Sequence, residues 1–207
     1  MRRRVLVNNN NKNKSYISGD ILYGKQFSAN VILNGTIVKI PSANINLANQ
    51  FTYYIDEPIN TLSFNYQNWY DILTLNIINP IASCNKMFMG LSNLRKLTIE
   101  KLDTSNVTNM SDMFSHCAWL TTIDLSALDT SKVTDMSWMF WQCSNLTSLD
   151  LSNFDISNVT VYEGMFEEAD KISHIKCKQA FKDWCATKYL NYIGLYNYNS
   201  INWEIVD

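Results

Sequence analysis

The stretch that decides the fold is NVTNMSDMFSHC, Asn106–Cys117, which returns 26 residues later as KVTDMSWMFWQC, Lys132–Cys143. The Met-Phe pair at its centre recurs at Met87-Phe88, Met113-Phe114, Met139-Phe140 and Met165-Phe166, always at that step. Further columns keep pace: Leu94, Leu120, Leu146 and Ile172; Leu97, Ile123, Leu149 and Ile175; Asp103, Asp129 and Asp155; Val107, Val133 and Val159. A period of this size marks units that stack on one another. The retained residues are those that must touch the unit above and the unit below, and the drifting ones face water. A single unit has too few apolar side chains to order itself, so neighbours must complete its burial.

Each unit carries two periods. Around Leu97-Thr98-Ile99 apolar residues alternate, as on a half-buried strand. At Met110, Met113, Phe114 and Cys117 they fall at i, i+3, i+4 and i+7, which predicts one face of a two-turn helix. Thr108 or Asn109, and Thr134 or Asp135, could cap that helix. Strands stack at ~4.8 Å and helices at ~8–10 Å, so the helix side is expected to be convex and the strand side concave.

The segment LTTIDLSALDTSKVTDMSWMFWQCSNLTSLDLSNFDISNVT closely resembles the BspA-like leucine-rich repeat family of bacterial surface proteins, and the likeness runs from about Cys84 to Lys178. The following KCKQAFKDWCATKYLNYIGL and INWEIVD look like the closing segment of such arrays in gut bacteria and their phages. With the periodicity, this resemblance implies an α/β repeat fold: a short right-handed leucine-rich-repeat solenoid, strands on the concave side and short helices on the convex side. It implies association with adhesion and with binding proteins or host matrix, and no enzymatic activity.

The ends read as caps. Residues 1–14 form a polar, basic tail, 15–80 a β-rich N-terminal domain or cap, 81–177 the repeats and 178–207 a C-terminal cap of helix plus strand. Asn34-Gly35 between VIL and TIV signals a two-residue hairpin. LTLNIINPIASCNKMF reads as a degenerate first repeat, two residues short. Phe181, Trp184, Cys185 and Tyr189 suit a closing helix over about residues 178–190, and a final strand or hairpin within 193–206 should carry Trp203 inward.

With 17 basic and 19 acidic residues, a net charge of -2 is too near neutral to suggest nucleic acid or an anionic membrane as the main partner. No apolar run reaches the ~18 residues of a membrane span. MRRRVLVNNNN has an apolar core of three residues against the roughly 7–15 of an export signal, so the chain is expected in the cytoplasm or a virion, with the cell surface as the alternative.

Catalytic, cofactor and metal residues are all expected to be none. His116 lies on a variable position without zinc-ligand spacing around it. Cys117 and Cys143 sit at the expected helix spacing, too far apart to bridge, and read as reduced core thiols; Cys177 and Cys185 stay open as a pair. The Asp103, Asp129, Asp155 column could hold Ca²⁺ or a paired-carboxylate reaction, but turn capping by each carboxylate is the simpler reading. A concave binding face would comprise Lys96, Thr98, Glu100, Thr122, Asp124, Ser126, Ser148, Asp150, Ser152, His174, Lys176 and Lys178; the alternative is a solvated polar face. Trp119, Trp138 and Trp141 form a rival convex patch, for a partner or for helix-to-helix packing. Arg2, Arg3 and Arg4 are candidate anchors. The expected function is a non-enzymatic protein-interaction or structural module, a bacteriophage head-decoration or tail protein anchored by its tail, whose partners are other proteins in a larger assembly. The alternative is a surface adhesin that binds host protein or glycan.

Overall fold

The computed structural model describes residues 15–21, 30–34, 36–39, 50–55, 61–64, 70–77, 80–188 and 190–206. The elements in chain order are β1 (Ser15–Ile21), β2 (Asn30–Leu33), β3 (Thr36–Lys39), β4 (Gln50–Ile55), β5 (Leu62–Phe64), β6 (Tyr70–Ile77), β7 (Lys96–Leu102), β8 (Ser148–Leu151), β9 (His174–Lys178), α1 (Gln179–Thr187), α2 (Leu190–Ile193) and β10 (Asn202–Val206). They make three small sheets, ordered β4-β1-β6-β7, β3-β2-β5 and β10-β9-β8. The first is mixed, because β1 is antiparallel to β4 and β6 while β6 runs parallel to β7. The second is antiparallel and the third parallel.

This is a small, mostly-β α/β fold, and it corrects the solenoid expected from the sequence. No continuous sheet passes through the four copies: residues 121–125, which should carry the second copy's strand, join no ladder between β7 and β8. Nor are there convex helices. Among the described residues the only helix longer than one turn is α1, beyond the last copy.

The Met-Phe segments are paired turns over 85–90, 111–116, 137–142 and 163–168. Two residues four positions apart in each turn through the left-handed region: Lys86 and Gly90, Asp112 and His116, Trp138 and Gln142, Gly164 and Glu168, with φ between 56° and 76°. An α-helix cannot hold two such residues within one turn. Alternate N–H groups leave the segment altogether. Met110, Asp112, Phe114 and His116 donate to the carbonyls of Asp135, Ser137, Met139 and Trp141 at 2.7–2.9 Å, and the pattern continues from the next copy to the one after.

The physical reason is spacing. Phe88, Phe114, Phe140 and Phe166 stack with ring centroids 5.4, 5.5 and 5.7 Å apart and planes within 10° of parallel. A helix needs ~8–10 Å from its neighbour, so a copy that repeats every ~5 Å has no room for one. The same spacing removes the curvature expected from unequal sides. The i, i+3, i+4, i+7 pattern arose because paired turns with i to i−3 bonds, such as Cys117 N to Phe114 O at 3.1 Å, also bring Met110, Met113, Phe114 and Cys117 to the buried side.

The D-T-S turns tie copy to copy. The buried Thr104 hydroxyl donates to Asp129 O at 2.8 Å and accepts from Asp129 N at 2.7 Å; Thr130 repeats this with Asp155. All five cysteines are buried and unbonded, Cys177 and Cys185 included. Cys117 Sγ donates to Phe88 O and Cys143 Sγ to Phe114 O. Burial pushes the Cys84 and Cys143 thiols up to about 12.

At the N-terminal side, Leu33 pairs with Thr36 across a two-residue loop as the hairpin signal required. β6 meets β7 with Leu73 opposite Leu97, a step of 24, and a bulge then shifts the register to Ile77 opposite Leu102. The degenerate first repeat is therefore short by two residues where β6 begins. Sheet β4-β1-β6-β7 draws three strands from before residue 80 and one from after it. The basic tail 1–14, with Arg2, Arg3 and Arg4, lies outside the described residues, as does Tyr189. At the other end α1 is shorter than expected, and of the strand or hairpin expected after it the structure has the strand, β10, parallel to β9; Trp203 on it is half-buried.

Candidate interaction face

The polar residues assigned to the strand columns do stand outward, since their neighbours Leu97, Ile123, Leu149 and Ile175 fill the core. They do not act alike. On β7, Lys96 is exposed and Thr98 half-exposed, and Glu100 accepts a hydrogen bond from the Tyr16 hydroxyl. Glu100 is also the extra residue of the bulge, so it belongs to the first sheet's own packing. Thr122, Asp124 and Ser126 lie on the irregular second copy. Ser126 and Ser152 are engaged: each donates its N–H to the carboxylate two residues earlier, and the Ser152 hydroxyl adds a 2.5 Å bond to Asp150.

What the fold gathers is a row of alternating charge on sheet β10-β9-β8. Lys176 Nζ lies 3.4 Å from Asp150 and 3.9 Å from Glu204, and His174 Nε2 is 3.2 Å from Glu204. Ser148 is the cross-strand neighbour of His174, and Asn202 completes that rung with Nδ2 3.2 Å from His174 Nδ1. Lys178 is exposed at the end of β9. Hydrogen bonds from the Ser126 hydroxyl and N–H lower the Asp124 carboxyl. For Asp150, partial burial pushes upward, but Ser152 and Lys176 together outweigh it and the net shift is down. Both carboxylates are thus held charged. Exposed pairs of this kind contribute at most about 1 kcal/mol each, so the row's significance is its pattern, not its stability.

Sequence reasoning missed Glu204 and Asn202. The 26-residue step predicts Asn202 beside Lys176, whereas β10 sets Glu204 there, a step of 28. The signal available was the alternation in INWEIV, which puts Trp203 and Ile205 on one face and Glu204 on the other.

The tryptophans divide. Trp138 and Trp141 are half-buried turn residues, not exposed helix positions; their rings meet at 5.3 Å, and Trp141 packs edge-on against His116 at 4.4 Å. Trp119 stands apart, 53% exposed, with the Arg95 guanidinium 5.4 Å from its ring. The convex trio is therefore one packed pair and one lone exposed ring.

The aspartate column caps its own turns. Asp103, Asp129 and Asp155 Oδ1 accept from the N–H groups of Ser105, Ser131 and Ser157 at 2.8–3.0 Å. Those serines lower all three carboxyls, through the hydroxyl bond first at Asp103 and Asp155 and the backbone bond first at Asp129. Because the folded values lie below the ordinary aspartate value of about 3.9, their stabilisation is complete above it and disappears as pH falls through the lower folded values. A triple Asp→Asn variant at these positions should therefore show a shallower acid limb in urea melts between neutral pH and pH ~2. An unchanged limb would refute the capping role. Among the described residues no group of three or more His, Cys, Asp or Glu could hold a metal, and no helix is long and apolar enough to cross a membrane.

No curated protein and no solved structure matches the chain. A family described as Mycoplasma protein of unknown function, DUF285, matches residues 62–198, which hold β5 to α2 and the whole charged row except its β10 members. That span is well over half of the 207 residues, and the chain accordingly belongs to the DUF285 family.

Proposed function

We propose that the chain is a non-enzymatic interaction module that binds another protein through the outward face of sheet β10-β9-β8. The observation that carries this is the row Asp150, Lys176 and Glu204, flanked by His174: charges of alternating sign on neighbouring strands, exposed or half-exposed, above a core that fixes their spacing. Complementary charge patterns of this kind steer association and select partners more than they add affinity. The resemblance to BspA-like proteins supports the same reading. In its finer form the proposal places the module in a larger particle, a bacteriophage virion, anchored through Arg2, Arg3 and Arg4.

Photo-crosslinking tests the face. A crosslinker at Asp124 or Ser126 should capture one partner that a crosslinker at Asn106 or Lys132, on the turns, does not. The Asp150→Lys, Lys176→Glu double variant should lose that adduct while keeping its circular dichroism. Equal adducts from both sides, or none from the face, would refute the reading.

A further inference from the structure

The inner column that runs through the copies ends on an exposed residue. Leu125 is 1%, Leu151 0% and Cys177 0% accessible, and Ile205, next in register on β10, is 38% accessible. Trp203, last of the neighbouring column after Ile175, is likewise only half-buried. Asn202 N donates to Ser173 O at 2.8 Å, toward β9. Strand alternation then turns the backbone groups of Trp203 and Ile205 away from β9, and among the described residues no strand pairs with that side. Natural sheets protect such edges with lysine, proline or a bulge. β10 reads NWEIV and has none of these. The charge row is open in the same place, since Glu204 has its partners, Lys176 and His174, on the β9 side only.

We infer that β10 is a docking edge for an added parallel strand, supplied by the segment Arg2–Val7, RRRVLV, of a second copy of this chain. Two features choose the occupant. In the parallel register that continues β8, β9 and β10 and sets Arg4 beside Glu204, Val5 stands beside Ile205 and Leu6 beside Val206. The row then reads Asp150, Lys176, Glu204, Arg4, with signs alternating to the end. Reach favours a second copy over the same one. Five strand pairings of ~4.8 Å, β1 to β7 and β8 to the added strand, and two copy-to-copy steps between β7 and β8, where the Phe rings stack at 5.4 and 5.5 Å, set a strand added to β10 roughly 35 Å from β1, while the eight steps from Val7 to Ser15 span at most roughly 29 Å. This edge shares Glu204 with the protein-binding face above, but crosslinking from Asp124 or Ser126 reads the face and sedimentation reads the edge, so either can fail alone.

Sedimentation of the 207-residue chain over a concentration series tests it. Apparent mass should rise with concentration. Replacing Arg2, Arg3 and Arg4 together by Glu, or Glu204 by Lys, should each weaken association about tenfold or more. Mixing the two variants should restore it, because each then offers the charge the other's strand or edge needs. Ile205→Arg, at an already exposed site, should abolish it with the circular dichroism unchanged, and an acetylated RRRVLV peptide should compete. A chain that stays monomeric to millimolar concentration, or association indifferent to these charges, would overturn the proposal.

Discussion

Phe114→Ala is expected to unfold the protein at markedly lower denaturant, with a loss of about 4–8 kcal/mol in a two-state urea melt. Phe114 is wholly buried and lies between Phe88 and Phe140, parallel to both. Cutting a buried Phe to Ala costs about 3–5 kcal/mol through lost transfer energy and the cavity left behind. Each offset stack adds about 0.5–1.5 kcal/mol. Collapse around the cavity is restricted, because the backbone on both sides is pinned: Phe88 N donates to Met113 O and Phe114 N to Met139 O, both at 2.9 Å. Phe166 stacks on one Phe, Phe140, so Phe166→Ala should cost less by about one stack. Equal losses at Phe114 and Phe166 would show that the ring row contributes nothing beyond individual burial. The double variant Phe114→Ala, Phe140→Ala should cost less than the sum of its parts, since the two share a contact.

How much of this was legible in the residues depends on which interaction set the local geometry. The Phe row, the cysteine column and the two-residue offset of β6 were readable, because each follows from which side chains must touch at a fixed step. The conformation between them was not. Met110, Met113, Phe114 and Cys117 satisfy a helical period, and local pattern alone cannot reveal that the backbone bonds outward to the next copy instead of along itself. The clue was at positions that look unremarkable singly: Gly90 and Gly164 each mark one of two left-handed columns, but Lys86, Asp112, Trp138, His116, Gln142 and Glu168 fill the remaining places. Stacking overrides the preference of those side chains, and a glycine signal diluted in this way does not stand out. The strand columns misled in the opposite sense: Thr122-Ile123-Asp124 alternates like its neighbours yet joins no ladder. For the charged row, the 26-residue step does not reach Glu204, because β10 comes after α1 and α2, whose lengths are unrelated to the repeat.

The last copy has no further copy to bond to, and its closure on the C-terminal segment makes Gly194→Ala the second large effect. Gly164 N donates to Tyr192 O at 2.7 Å and Phe166 N to Ile193 O at 2.9 Å, so residues 192–194 take the place that a fifth Met-Phe turn would occupy. Gly194 has φ +78°, and a Cβ there would stand 2.4 Å from Glu167 N and 2.6 Å from Glu167 Cα. Both are backbone atoms, and Glu167 O in turn accepts from Gln142 N, so neither can yield without parting the last copy from its cover. The left-handed conformation costs about 1–2 kcal/mol and the overpacking about 1–3 kcal/mol, which together predict a loss of about 3 kcal/mol or more. Gly164 is the internal control. Its added Cβ would also be left-handed, at φ +59°, but would meet the Trp138 ring at 2.2 Å instead of backbone. Trp138 is half-buried and a side chain can be removed, so Trp138→Ala should rescue Gly164→Ala down to the conformational cost of about 1–2 kcal/mol. No side-chain deletion should rescue Gly194→Ala in the same way. If Gly194→Ala melts with the parent protein, the C-terminal segment is not the cover of the last copy, and the burial of Phe166 at the end of the Phe row would need another explanation.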